Sequence, residues 1–251
     1  MEITQSFYDG LAPCYDRLFS DWEAATREQA DILCRLFSSC GISPGARVLD
    51  CACGIGTQAI GLAALGYALT ASDLSGEALR QARERAGKRG VRIRFEQADF
   101  RVLSRSFPEE FDIVMAMDNA LPHMLCAADL ETAVREMAGR VREGGLLAAS
   151  IRDYDALLAQ RPPYSPPYIH KTDRGRRIAF QTWDWQGRNY RLIQYLIEDE
   201  GAPEVRRFEC EYRAVLREEL TALLLDAGCR RVDWKFPEET GFYQPVVLAM
   251  R

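Results

Sequence analysis

Short apolar runs alternate with longer stretches of helical periodicity from Val48 to Ile151. Such runs are typical of strands that are covered on both faces of a sheet. Strands that alternate with helices in this way predict a mostly parallel α/β sheet. The predicted strands are Val48–Leu49, Tyr67–Ser72, Val91–Glu96, Phe111–Met117 and Leu146–Ile151, and the predicted helices are Glu23–Phe37, Thr57–Leu65, Ser75 to about Lys88, and Leu130–Val141, which precedes a tight turn at 143–145.

The pattern changes after the fifth predicted strand. Prolines in the segment Arg161–Pro167 exclude a helix or a central strand there. Alternating, aromatic-rich runs follow and predict a small antiparallel β insertion, which we expect to act as a lid or a dimer contact. These runs are Arg177–Trp185, Tyr190–Glu198 and Val205–Tyr212, and after them come a helix at Leu216–Ala227 and strands at Arg231–Phe236 and Tyr243–Met250.

The predicted fold class is therefore α/β, with a Rossmann-like, mostly parallel seven-stranded sheet. The chain divides into an N-terminal helical cap, a cofactor-binding core, the β insertion and a C-terminal part of the core. Their predicted bounds are 1–45, 46–155, 156–213 and 214–251.

A glycine-rich turn directly after the first strand predicts a nucleotide-type cofactor site. Gly54 and Gly56 allow the chain to approach a ligand closely, and the helix that follows presents free N–H groups. The spacing fits neither the Gly-x-Gly-x-x-Gly dinucleotide motif nor a phosphate-binding loop. Asp50, before the turn, suits a cationic ligand, and Asp73, at the end of the second strand, is placed to accept both hydroxyls of a ribose.

Composition narrows the class of protein. The chain has 251 residues and a net charge of −5, which argues mildly against a nucleic-acid surface. No apolar run is long enough to span a membrane, and the polar segment Met1–Gly10 is not typical of a signal peptide, so we expect a cytoplasmic protein. The lone Cys51-x-Cys53 pair and the 2 histidines make a metal site improbable, and no metal is predicted.

Three signals in order give the chain a family resemblance. Leu49-Asp50-x-Ala52-Cys53-Gly54-x-Gly56-Thr57, then Asp73, then Ala98-Asp99-Phe100 resemble the class I S-adenosylmethionine (SAM) dependent methyltransferases. The alternative is a generic Rossmann-like turn that binds another molecule. The resemblance implies SAM as the cofactor. The cofactor-binding residues it implies are Tyr15, Trp22, Arg27, Asp50, Ala52, Gly54, Gly56, Asp73, Leu74, Asp99, Phe100, Met117 and His123.

A second resemblance concerns the methyl acceptor. The pattern Asn119-x-x-x-His123, then Arg152-x-Tyr154-Asp155, then Lys171-Thr172-Asp173 is similar to the glycine and sarcosine N-methyltransferases. It implies that Arg152 holds an amino-acid carboxylate, that Asn119 orients the amine, and that a lid tyrosine, Tyr195 or Tyr212, completes the pocket. An arginine fork also fits a carboxylate on chemical grounds. Ile169-His170 replaces the paired tyrosines of that family's animal members, which puts glycine itself in doubt.

These patterns predict a SAM-dependent methyltransferase for a small molecule. The expected reaction is N-methylation of glycine, sarcosine or a related amino acid or amine. The alternatives are a methyltransferase for another small metabolite, such as a phenol or a biosynthetic intermediate, or a non-catalytic SAM-binding regulator. We expect no nucleic-acid or membrane partner, and a homo-oligomer remains open.

Overall fold

The apolar runs form the central sheet of the molecule. The computed structural model describes residues 2–173, 175–199 and 201–251. Met1, Arg174 and Glu200, which belong to the predicted cap and insertion, lie outside the described residues. The helices are α1 Glu2–Leu11, α2 Trp22–Ser39, α3 Thr57–Ala64, α4 Gly76–Arg89, α5 Leu103–Ser106, α6 Ala127–Ala138, α7 Tyr154–Gln160, α8 Arg217–Asp226 and α9 Pro237–Thr240, with 3₁₀ turns at Ala12–Leu18 and Leu121–His123. The strands are β1 Arg47–Asp50, β2 Ala68–Asp73, β3 Arg94–Gln97, β4 Phe111–Ala116, β5 Val141–Ser150, β6 Tyr168–Thr172, β7 Gly175–Gln186, β8 Asn189–Asp199, β9 Glu204–Arg213, β10 Arg231–Lys235 and β11 Val246–Met250.

The described residues form a 7-stranded sheet in the order β10-β11-β5-β4-β1-β2-β3. The pairs from β5 to β3 are parallel, whereas β11 runs antiparallel to both β5 and β10. The predicted Rossmann-like, mostly parallel sheet is therefore confirmed. The strand order reverses between β1 and β4, and ligands bind beyond the carboxyl ends of the strands at such a point.

The predicted antiparallel insertion is also confirmed as a separate sheet. Within the described part of the chain it has 4 strands in the order β6-β7-β8-β9. The long pairing of β7 with β8 is antiparallel throughout. Helix α1 packs against β9, so the N-terminal cap and the insertion touch each other.

Three details differ from the sequence-based predictions. The predicted tight turn at 143–145 is wrong, because β5 begins at Val141 and runs through both glycines with a shift of register against β4. A Cβ atom at Gly145 would lie 2.8 Å from the carbonyl oxygen of Asp112, so only glycine lets the backbones approach here. Strand β6 and the helices α5, α7 and α9 were not predicted, and β3 begins three residues later than expected, at Arg94.

No helix in the described ranges combines the length and the apolar character needed to cross a bilayer.

Candidate active site

The turn after β1 forms the floor of a cavity at the carboxyl edge of the sheet. Gly54 has φ 53° and Gly56 has φ 92°, both in the left-handed region that favours glycine. Gly56 is also the N-cap of α3, and a Cβ atom there would lie 2.7 Å from Cδ1 of Ile60. The turn therefore exposes the backbone amides at the positive end of α3 toward the cavity.

Two acidic side chains lie at the ends of β1 and β2. The Asp73 carboxylate accepts hydrogen bonds from the Gly54 amide at 2.8 Å and the Ser75 amide at 2.9 Å. Asp50 is 1% exposed, and its Oδ2 has no hydrogen-bond partner among the described residues. Burial raises the pKa of Asp50 to about 7 and also raises the pKa of Asp73. Carboxylates at this position suit a cation and ribose hydroxyls and disfavour a pyrophosphate.

The residues after β3 form the opposite wall of the same cavity. Arg101 donates to the Asp99 carboxylate at 2.9 Å and also pairs with Asp129, so its charge is neutralised within the wall. Phe100 adds an aromatic face beside this pair. The wall therefore presents apolar and acidic groups to the cavity, and the positive charge of Arg101 is neutralised by its acidic partners. The predicted cofactor residues that line this cavity are Tyr15, Ala52, Gly54, Asp73, Leu74, Asp99, Phe100, Met117 and His123.

A buried network joins this cavity to the N-terminal cap and the insertion. The Nδ1 of His123 lies 3.3 Å from the carbonyl oxygen of Glu211 on β9, so Nδ1 carries the proton and donates. The Nε2 atom then accepts from the Tyr8 hydroxyl of α1 at 2.9 Å. Burial lowers the pKa of His123 to about 3, which keeps the ring neutral.

A second cavity lies between the core and the antiparallel sheet. Arg152, just after β5, lines it together with Gln181 and Trp183 of β7. The Arg152 guanidinium donates to Tyr190 Oη at 3.0 Å and to Gln181 Oε1 at 2.9 Å, and it lies 5.1 Å from the Trp183 ring centroid. No described carboxylate forms a salt bridge with Arg152, so the cavity contains a fixed cation without an anionic partner.

Tyr15 and Asp118 line both cavities. The Tyr15 hydroxyl donates to Asp118 Oδ2 at 2.5 Å. Burial raises the pKa of Asp118, although its hydrogen bonds from Tyr15 and Tyr243 and the charge of Arg152 oppose the increase. The two cavities therefore meet at a carboxylate that is held by tyrosine hydroxyls.

Several predicted site residues do not line either cavity. Arg27 is exposed on α2. Trp22 is buried and donates from Nε1 to Thr57 Oγ1 at 3.0 Å, which ties α2 to the start of α3. Asp50 accepts a hydrogen bond from the Ala52 amide in the turn, and Gly56 is the N-cap of α3. These placements leave their predicted contacts with a cofactor untested.

The predicted substrate residues differ in their positions and contacts. Asn119 is buried, and its Oδ1 accepts from the backbone amide of Arg152 at 3.1 Å, so it positions the segment that carries the arginine. Tyr195 stacks on Phe180, with 4.9 Å between ring centroids, and does not line either cavity. Tyr212 contacts the His123 ring at 4.1 Å and lies nearer the junction.

Sequence reasoning gave no separate role to Asp118, Tyr8 and Gln181. Asp118 follows a central strand, which is a signal that could have identified it. Tyr8 belongs to the aromatic-rich N-terminal segment, but its partner is 115 residues away in the chain. Gln181 faces the cavity only because of the strand register of the insertion. Among the described residues, no group of three or more His, Cys, Asp or Glu side chains could hold a metal ion.

The order of the strands and the cavity at their carboxyl edge are typical of a Rossmann-like fold. Residues 48–145 match the family model of a methyltransferase domain. Together these findings identify the core of the chain as a class I SAM-dependent methyltransferase domain.

Relatives of known function are similar over part of their length. A glycine/sarcosine N-methyltransferase from Parasynechococcus marenigrum is 32% identical over 154 residues, which are 61% of this chain and 53% of the relative. A glycine N-methyltransferase from Rattus norvegicus is 26% identical over 245 residues, which are 90% of this chain and 82% of the relative. The chain thus spans about half the length of the Parasynechococcus relative.

Solved structures share the fold across most of the chain. An amino pentose methyltransferase from Micromonospora echinaspora, solved with SAM bound, has a TM-score of 0.74 and 20% identity, and the match covers 90% of this chain and 91% of that one. A sugar N-methyltransferase from Streptoalloteichus has a TM-score of 0.73 and 18% identity over 90% of this chain and 87% of that one. These similarities show the fold of both the core and the insertion.

Proposed function

We propose that the protein transfers a methyl group from SAM to the nitrogen of a small amino acid or amine that carries a carboxylate. The observation that carries this proposal is Arg152, a cation without a described anionic partner, in the cavity that adjoins the cofactor site. The names of the glycine and sarcosine N-methyltransferase relatives support the same class of acceptor.

The cofactor cavity fits the methyl donor. SAM carries a sulfonium and an ammonium cation, a ribose and an adenine, and it supplies an activated methyl group. Asp73 and Asp99 line the cavity with carboxylates, and Phe100 adds an aromatic face. The buried Asp50 Oδ2, which has no hydrogen-bond partner among the described residues, provides further negative potential beneath the turn.

The protein's part in the reaction is mainly placement. A nucleophile in the second cavity must lie in line with the methyl group, and water must be excluded from the junction. The Arg152 fork binds the acceptor's carboxylate. The hydrogen bond from the Arg152 backbone amide to Asn119 Oδ1 fixes the position of Arg152. Residues of the cap and of the insertion meet at His123 and close one side of the cofactor cavity.

One observation favours a second acceptor class. The second cavity is strongly aromatic, with Phe180, Trp183 and Phe236 among its walls. Such walls also suit a phenol or a cyclic biosynthetic intermediate. In that case Arg152 would bind an acidic or hydroxyl substituent of the ring.

The test is a product assay with an acceptor pool. The purified protein is incubated with SAM and with glycine, sarcosine, dimethylglycine, other small amines and phenols, and the products are read by mass. A gain of one methyl group on glycine or sarcosine is the expected outcome. Methylation of phenols alone would select the second acceptor class. Binding of S-adenosylhomocysteine without methylation of any acceptor would leave the non-catalytic regulator.

A further inference from the structure

Asp118 occupies a strained position at the junction of the two cavities. It lies two residues beyond the end of β4, and its φ of 56° is in the left-handed region, as is the φ of 65° at Asn119. The backbone amide of Asp118 donates to Ser150 Oγ at 2.7 Å, and the amide of Asn119 donates to the Ser150 carbonyl oxygen at 3.1 Å. The end of β5 thus holds a backbone conformation that is costly for residues other than glycine, and such strain is concentrated at functional sites.

The carboxylate of Asp118 has unused hydrogen-bonding capacity. Its Oδ2 accepts from the Tyr15 hydroxyl at 2.5 Å, and the nearby Tyr243 hydroxyl acts to lower its pKa. No lysine, arginine or histidine among the described residues forms a salt bridge with it. An ionised carboxylate has about four acceptor positions, so donors from a ligand can still bind.

The second cavity therefore contains charges of both signs. Arg152 provides a positive charge, and the carboxylates of Asp118, Asp153 and Glu238 line the same space. Asp153 pairs with Arg217, and among these three carboxylates Asp118 alone also lines the cofactor cavity. The Arg152 charge acts on Asp118 without forming a salt bridge with it. A small zwitterion would match this arrangement, with its carboxylate on Arg152 and its ammonium group on Asp118.

We propose that Asp118 binds the protonated nitrogen of the methyl acceptor and removes one proton from it before methyl transfer. The inference rests on the proposed N-methyl transfer and adds the residue that prepares the nucleophile. Since Asp118 also lines the cofactor cavity, a nitrogen bound to it lies at the boundary across which the methyl group must pass.

The steps balance. The ammonium group R–NH₃⁺ gives a proton to the Asp118 carboxylate and becomes R–NH₂. The nitrogen lone pair then forms the N–C bond, while the S–C bond breaks and its electron pair returns to sulfur, which leaves a neutral thioether. The product leaves as R–NH₂⁺–CH₃, and Asp118 releases its proton to solvent, so one proton is produced per turnover.

The surroundings of Asp118 suit a base. Burial raises its pKa, which makes the carboxylate a better proton acceptor. The groups that face it are the hydroxyls of Tyr15 and Tyr243 and the cation of Arg152, with the Tyr8 hydroxyl farther away. The tyrosine hydroxyls and Arg152 oppose the increase.

The first variant is Asp118→Asn, with Asp112→Asn as its matched control. Asp112 lies at the other end of β4, where it accepts from the Arg47 amide and from Arg142. Sarcosine is titrated calorimetrically into protein saturated with S-adenosylhomocysteine, and kcat/KM for sarcosine is measured against pH. We expect Asp118→Asn to weaken sarcosine binding by about 10- to 100-fold and to move the acid-side decrease of kcat/KM to higher pH, because only an acceptor that is already deprotonated in solution can then react. Asp112→Asn keeps both properties.

The second variant is Asp118→Gly, which separates chemistry from folding. Glycine adopts a φ of 56° without strain, so this variant should unfold at the same temperature as the wild type or higher. We expect it to bind S-adenosylhomocysteine within about threefold of the wild type and to lose sarcosine binding as Asp118→Asn does. A purely structural role for Asp118 predicts instead that Asp118→Gly keeps sarcosine affinity.

The outcomes distinguish the two proposals. The role of Asp118 would be overturned, and the proposed function kept, by one combination of results. In it the wild type methylates an amine, and both variants keep the sarcosine affinity and the acid-side decrease of kcat/KM of the wild type. Wild-type methylation of hydroxyl acceptors alone would overturn both. Wild-type methylation of an amine supports both proposals if both variants bind sarcosine more weakly and show the acid-side decrease of kcat/KM at higher pH.

Discussion

Arg152 is a cation that the protein holds in place without neutralising it. Its two hydrogen-bonded partners, Tyr190 and Gln181, are neutral, and the rings of Trp183 and Tyr212 pack against its face at 5.1 and 5.5 Å from their centroids. A fork held in this way is prepared for a planar anion, because little side-chain freedom is lost on binding.

Replacement of Arg152 by lysine keeps the charge and removes the fork. Lysine cannot reproduce the paired geometry with a carboxylate, so we expect KM for sarcosine to rise by about 10- to 100-fold. Affinity for S-adenosylhomocysteine should stay within about twofold. Arg176→Lys, on the exposed side of β7, is the control. Unchanged sarcosine kinetics in Arg152→Lys would remove the carboxylate role.

Asp50 should make binding of the methyl donor depend on pH. Its pKa is raised to about 7, and a nearby cation favours the ionised form. The affinity for SAM should therefore increase with pH, by up to about tenfold between about pH 6 and 7.5. Calorimetric titration of the wild type and Asp50→Asn checks this, with neutral adenosine as the control ligand. An equally steep dependence in Asp50→Asn would assign the effect to another group.

At the scale of secondary-structure elements, the close packing of α2 against α3 determines the position of the glycine-rich turn that precedes α3. A Cβ atom at Gly61 in α3 would lie 2.5 Å from the carbonyl oxygen of Thr26 and 2.6 Å from Cβ of Ala30, both in α2. The Trp22 indole also ties α2 to Thr57, the first residue of α3. The position of α3 thus fixes the amides that face the cavity.

Gly61→Ala should force the two helices apart. We expect the free energy of unfolding to fall by about 1–3 kcal/mol, because the added methyl group meets backbone atoms that cannot yield. Affinity for S-adenosylhomocysteine should fall as well. Gly87→Ala in α4 is the matched control, since nothing lies within 4 Å of its Cβ position. This control should gain about 0.5–1 kcal/mol in urea denaturation. Equal effects of the two substitutions would contradict the close-packing argument.

Among the secondary-structure elements, some strands could be predicted from the sequence and others could not. The strands of the core were predictable because both of their faces are buried, as the fully buried Val114 and Ala148 of β4 and β5 show. The part of β5 that runs through Gly144 and Gly145 was not predictable from the sequence. Glycine pairs are typical of turns, and their role in β5 depends on the neighbouring strand.

The site was predictable only where local spacing determines it. The turn with Gly54 and the strand-end Asp73 could be recognised from order and spacing. The role of Asp118 depends on its left-handed backbone and on Tyr15, which is 103 residues away. The family resemblance implied that Trp22 contacts the cofactor, but its burial and its bond to Thr57 result from helix packing that no local pattern records.

At the scale of the whole molecule, His123 joins the cap, the core and the insertion. Tyr8 of α1 donates to its Nε2, and its Nδ1 donates to Glu211 of β9. Both bonds require the neutral ring with the proton on Nδ1. The network must therefore depend on pH, because protonation of the ring would remove the acceptor that Tyr8 uses.

The folded state resists that protonation. The pKa of His123 is about 3 in the folded protein, compared with about 6.5 in an unfolded chain. Below about pH 6.5 the unfolded chain binds a proton that the folded protein does not, so this residue lowers stability as the pH falls. At pH 5 the loss is about 2 kcal/mol. Asp50 acts in the opposite direction, because its raised pKa of about 7 makes stability fall as the pH rises from about 4 to 7.

Single variants separate these opposing contributions. His123→Gln can still donate to Glu211 and accept from Tyr8, but it cannot bind a proton. The difference in unfolding free energy, wild type minus His123→Gln, should increase by about 2 kcal/mol from pH 5 to pH 7, as measured by urea denaturation. The corresponding difference for Asp50→Asn should decrease over the same range. A wild-type minus His123→Gln difference that is constant with pH would show that His123 binds a proton as readily in the folded protein as in the unfolded chain, which contradicts a network that requires the neutral ring.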